Sequence, residues 1–454
     1  MITASAYKGK KVGVFGLART GVAAVQALEA SGADVLAWDD VPERRAAVGA
    51  YSHDLYEADM HSLDAVMLAP GVPLNFPAPH AIVVRCREAG TPLISDFDFF
   101  EKARTDMAPH KVVAITGTNG KSTTTALIGH VVDECGLPAA IGGNIGKGIL
   151  SLDLLPEGGV YVLEMSSFQL DLTQSFKADI GILLNITPDH LDRHGDLDGY
   201  VAAKQRLFEQ QGPDGVAVIS VDDSHGAAMA TTYAGHVVPI SVETAVAGGV
   251  YVLDGMLTDD MDGEAVVCAD LRECAPMLLG SHNWQNAAAA YAAGRSLGFK
   301  FEDIISAFGS FPGLAHRQET VATIDGIRYV NDSKATNVDA ASRALRAFEN
   351  IHWIAGGRPK EKNFTALAAL MGTVKHAYLI GEAADAIAHD VGGDVDVADC
   401  RDLEHAIECA RANAVEGDVI LLSPACTAFD QFRDFENRGD VFRSLVLART
   451  GERS

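Results

Sequence analysis

The sequence predicts an α/β fold of three domains, each built around a largely parallel sheet. Three short runs rich in β-branched residues each lead into glycine and then into an amphipathic stretch: 11–16, 111–117 and 351–357. Alternating strand and helix signals of this kind are typical of parallel α/β sheets. The chain has 454 residues, which is long for one domain and natural for two or three.

Two proline-containing segments predict the domain boundaries. Ala108-Pro-His110 separates an acidic, aromatic helix-like segment from the second β-branched run, and Phe311-Pro-Gly313 precedes a new strand signal. Boundaries at these points give domains over 1–109, 110–313 and 314–454, each of ordinary size.

Charge and cysteine content exclude several classes of protein. With 36 basic and 61 acidic residues the net charge is −25, which repels polyanions, so we expect no nucleic-acid or membrane partner. No apolar run is long enough to predict a membrane span. The 7 cysteines include no C-x-x-C pair, which favours reduced thiols in a cytoplasmic protein over disulfides or a zinc site.

The first glycine turn, Gly16-Leu-Ala-Arg-Thr-Gly21, is one substitution from the dinucleotide-binding fingerprint, and Asp39 ends the following strand. Three interpretations remain open. The turn could bind NAD, with Asp39 on a ribose hydroxyl. It could bind UDP, with Arg19 and Thr20 at the pyrophosphate and Asp39 or Asp40 near uracil, and Gly71 would then supply a further turn facing the site. It could also be a turn that only packs a strand against a helix and binds no ligand. Ala18 leaves less room than a glycine for the NAD pyrophosphate and favours UDP.

The second glycine turn, Thr116-Gly-Thr-Asn-Gly-Lys-Ser-Thr123, lies between an apolar strand and a helix signal. Small residues let backbone N–H groups surround phosphate oxygens, and the helix N-terminus adds a positive dipole end. Lys121 would reach the terminal phosphates of a nucleoside triphosphate, and Ser122 would bind Mg²⁺. The alternatives are an accidental glycine-rich turn or a regulatory GTPase. The GTPase is disfavoured because no Asn-Lys-x-Asp sequence is present.

Two further strand signals end in polar residues. The run 160–164 ends at Glu164 and is followed by two serines, and the run 179–185 leads towards His190. Ligands of parallel sheets bind at the carboxyl ends of the strands, where Glu164 could bind Mg²⁺. Taken alone, Glu164 is typical of a capped or solvated charge at a strand end. His190, taken alone, is typical of an ordinary loop histidine. Beside a phosphate loop, the functional interpretation is favoured.

Several strings then coincide in order along nearly the whole chain. They are Gly117-Thr-Asn-Gly-Lys-Ser-Thr123, Gly142-Gly-Asn-Ile-Gly146, Leu163-Glu-Met-Ser-Ser-Phe-Gln-Leu170, Pro188-Asp-His-Leu-Asp-Arg193, Tyr200-Val-Ala-Ala-Lys204, His282-Asn-Trp-Gln-Asn286, His316-Arg317, Asn331-Asp-Ser-Lys-Ala-Thr-Asn337, Leu422-Ser-Pro-Ala-Cys426 and Asp430-Gln-Phe432. This set resembles the Mur ligases of peptidoglycan synthesis. The last three strings resemble the branch of the family that uses D-glutamate.

The resemblance implies an ATP-dependent ligase that joins D-glutamate to UDP-N-acetylmuramoyl-L-alanine through an acyl phosphate. It also implies that the first and last domains are Rossmann-like and that the central one is a mononucleotide-binding domain. ATP and two Mg²⁺ ions are the implied cosubstrate and cofactors, and a monomer is expected. The implied catalytic residues are Lys121, His190 and Lys204. On its residues alone Lys204 is typical of a solvated helix lysine. The resemblance implies that it is carbamylated and serves as a metal ligand.

The resemblance also implies the binding residues. For ATP they are Gly117, Thr118, Asn119, Gly120, Lys121, Ser122, Thr123, Asn286, Arg317 and Asp332. For the UDP substrate they are Arg19, Thr20, Asp39, Asp40, Gly71, Asn144 and Ser166. For D-glutamate they are His190, Lys334, Thr336, Lys360, Phe435 and the backbone near Ala428 and Phe429. For the metal ions they are Ser122, Glu164, His190 and Lys204.

Four residues, at three places in the chain, depart from the family pattern. Ala428 stands where the family has serine, Arg358 where related enzymes can carry aspartate, and Asp40-Val41 where the family has Thr-Arg. These differences affect the glutamate and uracil contacts. The alternatives that remain are a Mur ligase adding another amino acid and, from a different class, a dinucleotide-binding redox protein.

Overall fold

The computed structural model describes residues 1–360 and 363–448. In this part of the chain the strands form three separate sheets. The predicted α/β class with parallel sheets is confirmed. The chain divides into two compact units, Met1–Pro312 and Gly313–Ser454. The first unit holds two of the sheets and the second unit holds the third.

The first sheet is parallel throughout, in the order β2-β1-β3-β4. Its strands are β1 Lys11–Phe15, β2 Asp34–Trp38, β3 Ala65–Leu68 and β4 Leu93–Ile94. The helices of this region are α1 Arg19–Ala30, α2 Pro42–Arg45, α3 Ala81–Ala89 and α4 Asp96–Ala103. Because the strands are parallel, the turns after β1, β2 and β3 all open at one edge of the sheet.

The second sheet has the order β13-β12-β11-β10-β9-β8-β5-β7-β6. Its strands are β5 Lys111–Thr116, β6 Ala139–Gly143, β7 Val160–Glu164, β8 Ile180–Leu183, β9 Val216–Ser220, β10 His236–Ser241, β11 Val250–Leu253, β12 Met256–Asp259 and β13 Val266–Asp270. Only the pairs of β12 with β11 and β13 are antiparallel. The helices are α5 Lys121–Glu134, α6 Ser167–Leu172, α7 Leu191–His194, α8 Leu197–Glu209, α9 Ser224–Thr232, α10 Leu271–Cys274, α11 Ser281–Ser296 and α12 Phe301–Ser310.

The third sheet has the order β14-β15-β19-β16-β17-β18, with an antiparallel edge strand β14. Its strands are β14 Glu319–Ile324, β15 Ile327–Asn331, β16 Ile351–Gly356, β17 Val374–Ile380, β18 Asp396–Arg401 and β19 Val419–Leu422. The helices are α13 Val338–Ala347, α14 Thr365–Ala368, α15 Ala384–Val391, α16 Leu403–Asn413 and α17 Phe435–Ala448. β19, the last strand in sequence, thus lies between β15 and β16, which are consecutive strands along the chain.

The cores follow from the buried faces of these sheets. The phenylalanines of α4, Phe97, Phe99 and Phe100, are fully buried in a cluster that continues from the first sheet into one face of the second. On the opposite face of the second sheet, α5 packs against the alanine-rich α11, whose small side chains allow close approach. Both faces of the third sheet are also covered. No helix in the described ranges is both long and apolar enough to cross a membrane.

Candidate functional site

The loop between β5 and α5 has the conformation expected of a phosphate cradle. Gly117 and Gly120 have φ of 154° and 83°, and α5 begins at Lys121, so the helix N-terminus faces the loop. A Cβ atom at Gly120 would lie 2.4 Å from Oδ1 of Asn286, so this position accepts glycine alone. The loop backbone is therefore free to surround a phosphate at the carboxyl edge of the sheet.

Asn185, at the end of the β8 segment, holds this loop in place. The backbone N–H of Asn119 donates to Oδ1 of Asn185 at 2.8 Å, and that of Thr118 donates to its carbonyl at 2.9 Å. The side-chain amide of Asn185 donates in turn to Gln285 at 2.8 Å. The sequence interpretation missed the role of Asn185, although its position at a strand end beside β5 is a usable signal.

Two lysines share the carbonyl oxygen of Gly117. Nζ of Lys121 donates to it at 2.8 Å, and Nζ of Lys204 donates to it at 2.9 Å. The residue Lys204 is only 1% exposed, so the expectation of a solvated helix lysine is wrong. The side chain is buried because α8 packs beside the loop, with Nζ 4.5 Å from the centre of the Tyr200 ring. Burial, followed by the charge of Lys121, lowers the pKa of Lys204 well below its ordinary value.

The carboxylate of Glu164 lies at the carboxyl end of β7, next to β5 in the sheet. Its Oε1 accepts a hydrogen bond of 2.8 Å from the side-chain amide of Asn144. Its Oε2 is buried and has no hydrogen-bond partner within the described residues. A buried carboxylate oxygen without a partner is costly unless a ligand satisfies it, and hard oxygen donors suit Mg²⁺. Glu164 therefore fits a magnesium ligand.

No three histidine, cysteine or acidic side chains in the described ranges come together as a metal cluster. A Mg²⁺ ion at Glu164 would thus take further oxygen ligands from a hydroxyl, a phosphate or water. Ser122, in the first turn of α5, is of the right chemical type. The other serine assigned to this region, Ser166, caps α6 and is bonded to Gln169.

His190 lies in a left-handed conformation, with φ of 51°, at the start of α7. Its side chain is 52% exposed and stacks edge-on against Phe168, with ring centres 5.0 Å apart. Phe168 lies in α6, which begins shortly after β7 ends at Glu164. Because His190 contacts Phe168, it lies at the same edge of the sheet. Asn286, on α11, accepts a hydrogen bond of 3.0 Å from Thr124 of α5.

The predicted UDP-binding residues of the first sheet lie at the ends of its strands. Arg19 and Thr20 form the first turn of α1. Asp39 is buried and accepts hydrogen bonds from the backbone N–H groups of Leu17 at 2.6 Å and Val41 at 2.8 Å. Burial alone would raise the pKa of Asp39, but these hydrogen bonds and the charge of Arg44 outweigh it and lower the pKa. Asp39 therefore shapes the glycine turn.

Asp40 is the more open of the two carboxylates. It accepts a hydrogen bond of 3.0 Å from the Tyr56 hydroxyl, and its other oxygen lies 3.2 Å from Nε2 of His80. Gly71 lies in the turn after β3, with no atom within 4 Å of where a Cβ would be. These residues leave an open surface at the strand ends, with a carboxylate available as a hydrogen-bond acceptor.

In the second unit, Asp332 lies at the end of β15 and is buried. It accepts hydrogen bonds from the Ser423 hydroxyl at 2.9 Å and from the N–H of Gln318 at 3.2 Å. Burial raises the pKa of Asp332 to about 7, opposed by these bonds and by the charge of Arg317. Arg317 and Asp332 are therefore close to each other, as their shared assignment to the nucleotide requires.

The predicted D-glutamate residues of this unit also come together at strand ends. Nζ of Lys360 donates to the Thr336 hydroxyl at 3.2 Å, and Nζ of Lys334 lies 4.1 Å from the centre of the Phe435 ring. Ala428 is buried, and Phe429 is 60% exposed. Lys334 therefore lies beside the half-buried Phe435 ring and Lys360 beside Thr336, and two lysines in these loops suit an amino acid with two carboxylates.

Arg358, one of the departures from the family pattern, is paired with Glu382 on an exposed surface. Its backbone forms reciprocal 2.9 Å hydrogen bonds with Thr427, which joins the Lys360 loop to the Ala428 loop. The backbone at position 358 is therefore held by its bonds to Thr427 and not by its side chain.

The fold and this edge of strand-end loops define a nucleotide-binding α/β protein, and the comparisons with known proteins specify its class. The Mur ligase middle domain matches residues 115–294, and the Mur ligase, glutamate ligase domain matches residues 316–426. The chain belongs to the Mur ligase family.

Relatives named UDP-N-acetylmuramoylalanine–D-glutamate ligase are similar over almost the full length. The protein from Phenylobacterium zucineum is 50% identical and that from Caulobacter sp. strain K31 is 48% identical, each match covering 98% of both chains. The crystal structure of a UDP-N-acetylmuramate-alanine ligase from Thermotoga maritima covers 97% of this chain and 100% of its own, with a TM-score of 0.60 and 18% identity. That structural similarity concerns the fold alone.

Proposed function

We propose that this chain is the ATP-dependent ligase that joins D-glutamate to UDP-N-acetylmuramoyl-L-alanine in the synthesis of peptidoglycan precursors. The observation that carries the proposal is the phosphate-loop edge of the second sheet, where Lys121, Lys204 and Glu164 surround the loop after β5. Similarity to relatives of that name over 98% of the chain supports the choice of substrates.

The chemistry follows from the low reactivity of a carboxylate towards amines. ATP transfers its γ-phosphoryl group to an oxygen of the alanyl carboxylate, the bond to ADP breaks, and an acyl phosphate forms. The neutral amine of D-glutamate then attacks the carbonyl carbon. The tetrahedral intermediate collapses, phosphate leaves with the bonding electron pair, and the amine proton passes to solvent or a base.

In this proposal the loop 117–120 and Lys121 hold the β and γ phosphates, because backbone N–H groups and a lysine stabilise their charge. Ser122 and Glu164 would hold one Mg²⁺ ion, and His190 with Lys204 would serve a second. When bound, these ions neutralise charge on the transferring phosphoryl group. The unsatisfied Oε2 of Glu164 supports this assignment.

The role of Lys204 requires a change in its charge, since an ammonium group repels a cation. Its buried side chain and lowered pKa support a neutral amine, which can add to CO₂ and lose a proton to give a carbamate. A carbamate would supply oxygen ligands at the position of the lysine. Carbamylation therefore belongs to the proposal.

We assign the UDP moiety to the first sheet, with Arg19 and Thr20 at the pyrophosphate, and the amino acid to the loops that carry Lys334 and Lys360. The division into domains 1–109, 110–313 and 314–454 belongs to the same proposal. So do a cytoplasmic location, where ATP and nucleotide precursors are available, and a monomeric state.

The test is phosphate release from the purified chain with ATP, Mg²⁺ and UDP-N-acetylmuramoyl-L-alanine, with and without D-glutamate. We expect release that depends on both substrates, and a mass increase of one glutamyl residue on the nucleotide sugar. The variant Lys121→Ala should abolish release, whereas Lys147→Ala, at a lysine that is 61% exposed, should leave it unchanged.

The amino acid supplied decides between this proposal and its alternatives. Release with L-glutamate or another amino acid, and none with D-glutamate, would retain the ligase chemistry and reject the D-glutamate assignment. Absence of release with every amino acid, together with tight NAD binding, would instead support a dinucleotide-binding redox protein.

A further inference from the structure

Arg438 is a fully buried arginine on α17 that the reaction described above does not use. Its exposed fraction is 0%, although arginine is almost never fully buried unless it is paired. Burial lowers the pKa of Arg438 to about 10, so the guanidinium remains charged at neutral pH. A charged group in this position needs an explanation beyond packing.

The guanidinium makes its hydrogen bonds to neutral oxygens. Nε donates to the Ser333 hydroxyl at 3.0 Å, and Nη2 donates to the carbonyl oxygens of Ser333 at 2.9 Å and Cys426 at 3.1 Å. Nη1 lies 3.3 Å from the carbonyl oxygen of Thr427 and 3.4 Å from that of Gly356. Among the described residues no carboxylate accepts a hydrogen bond from it, and the charge of Asp430 acts on it through space.

These acceptors lie at or just after the carboxyl ends of β15, β16 and β19, and each leads into a loop. Each loop continues directly into a segment that carries predicted amino-acid contacts. Ser333 precedes Lys334 and Thr336, Gly356 precedes Lys360, and Thr427 precedes Ala428 and Phe429. The Ser333 hydroxyl also donates to the carbonyl oxygen of Phe435 at 2.8 Å, which ties the start of α17 to the same cluster.

We propose that Arg438 is a positioning residue of the amino-acid subsite. It joins the three segments that lead into the amino-acid contacts, and so fixes their positions relative to one another. This inference rests on the proposed ligase function. A neutral side chain of similar size would fill the space but could not make all of these hydrogen bonds, so amino-acid binding depends on the arginine.

The experiment is a kinetic comparison in the full-length chain, with D-glutamate, ATP and UDP-N-acetylmuramoyl-L-alanine each varied in turn. Losing buried hydrogen bonds from a charged group should raise the KM for D-glutamate by roughly 100-fold in Arg438→Gln and roughly 10-fold in Arg438→Lys, which keeps the charge. Ser333→Ala, which removes one acceptor and leaves the charge, should raise it by about threefold. The KM values for ATP and the nucleotide sugar should stay unchanged.

Arg433→Gln is the matched control, because Arg433 is 79% exposed and paired with its neighbour Asp434. It should leave every KM unchanged. The proposal is overturned if the KM for D-glutamate is unaffected in the Arg438 variants, or if all three KM values rise together as general loosening would cause. If Arg438→Gln does not fold, Arg438→Lys and Ser333→Ala decide by the same criterion. If the wild-type chain shows no D-glutamate-dependent release, the proposed function fails first and this inference fails with it.

Discussion

The carbonyl oxygen of Gly117 accepts hydrogen bonds from two lysine side chains, and this contact makes the charge of Lys204 testable. Two ammonium groups at one carbonyl repel each other, and burial of Lys204 adds to the cost of its charge. We therefore expect the purified chain, supplied with ¹³C-labelled bicarbonate, to show a carbamate signal in ¹³C spectra that is absent from Lys204→Ala.

Activity provides the second measurement on the same residue. Lys204→Ala should lose at least about 100-fold in kcat, because the phosphoryl transfer loses a charged ligand, and Lys204→Glu should recover part of it. Lys147→Ala, at an exposed lysine paired with Asp153, should keep both full activity and the carbamate signal. Full activity in Lys204→Ala would show that the buried lysine has no part in the reaction.

At the scale of the element, the start of α5 depends on a single glycine. Gly120 combines a φ of 83° with a position where a Cβ would approach Oδ1 of Asn286 at 2.4 Å. Alanine there would displace the Asn286 side chain, which accepts a hydrogen bond from Thr124, and would strain the loop at its positive φ, so the loop N–H groups would converge less well on a phosphate. We expect Gly120→Ala to raise the KM for ATP more than about tenfold, as a misplaced phosphate contact would.

Gly136, just after the other end of α5, is the matched control. Its φ is also 83°, but no atom lies within 4 Å of where its Cβ would be. Gly136→Ala should lower the free energy of unfolding by about 1 kcal/mol through backbone strain alone. Its KM for ATP should match that of the wild-type chain. Equal effects of the two substitutions on ATP would mean that strain, and not the contact with Asn286, determines the loop.

The elements around the phosphate loop could be predicted from the sequence because each has a local signal. β5 and β7 are apolar runs that end in a polar residue, β8 is an apolar run followed closely by Asn185, and α5 follows a glycine turn. The burial of Lys204 and Arg438 could not be predicted, because each lies on a helix whose neighbours in space come from distant segments. The position of β19 between β15 and β16 also depends on pairing between distant strands.

The whole molecule divides between Pro312 and Gly313 into two compact units. Each unit has what an independent folding domain requires, which is a sheet with both faces covered by its own buried clusters. The residues assigned to the reaction are divided between them: Lys121 and Glu164 are in the first unit, and Lys334 and Lys360 are in the second. Folding and activity should therefore respond differently to separation of the two units.

We expect the fragments 1–312 and 313–454, produced separately, to fold. Each should show cooperative thermal unfolding by circular dichroism, because its core is complete. Fragment 1–312 should bind ATP more weakly than the full chain, measured by calorimetry, since it contains the entire loop 117–123 but lacks Arg317 and Asp332, which are also assigned to ATP. Neither fragment alone should form the glutamyl product. If fragment 313–454 is unfolded although its sheet and both of its clusters lie within it, then the third sheet depends on the rest of the chain for stability, and the boundary at Gly313 does not mark an independent folding unit.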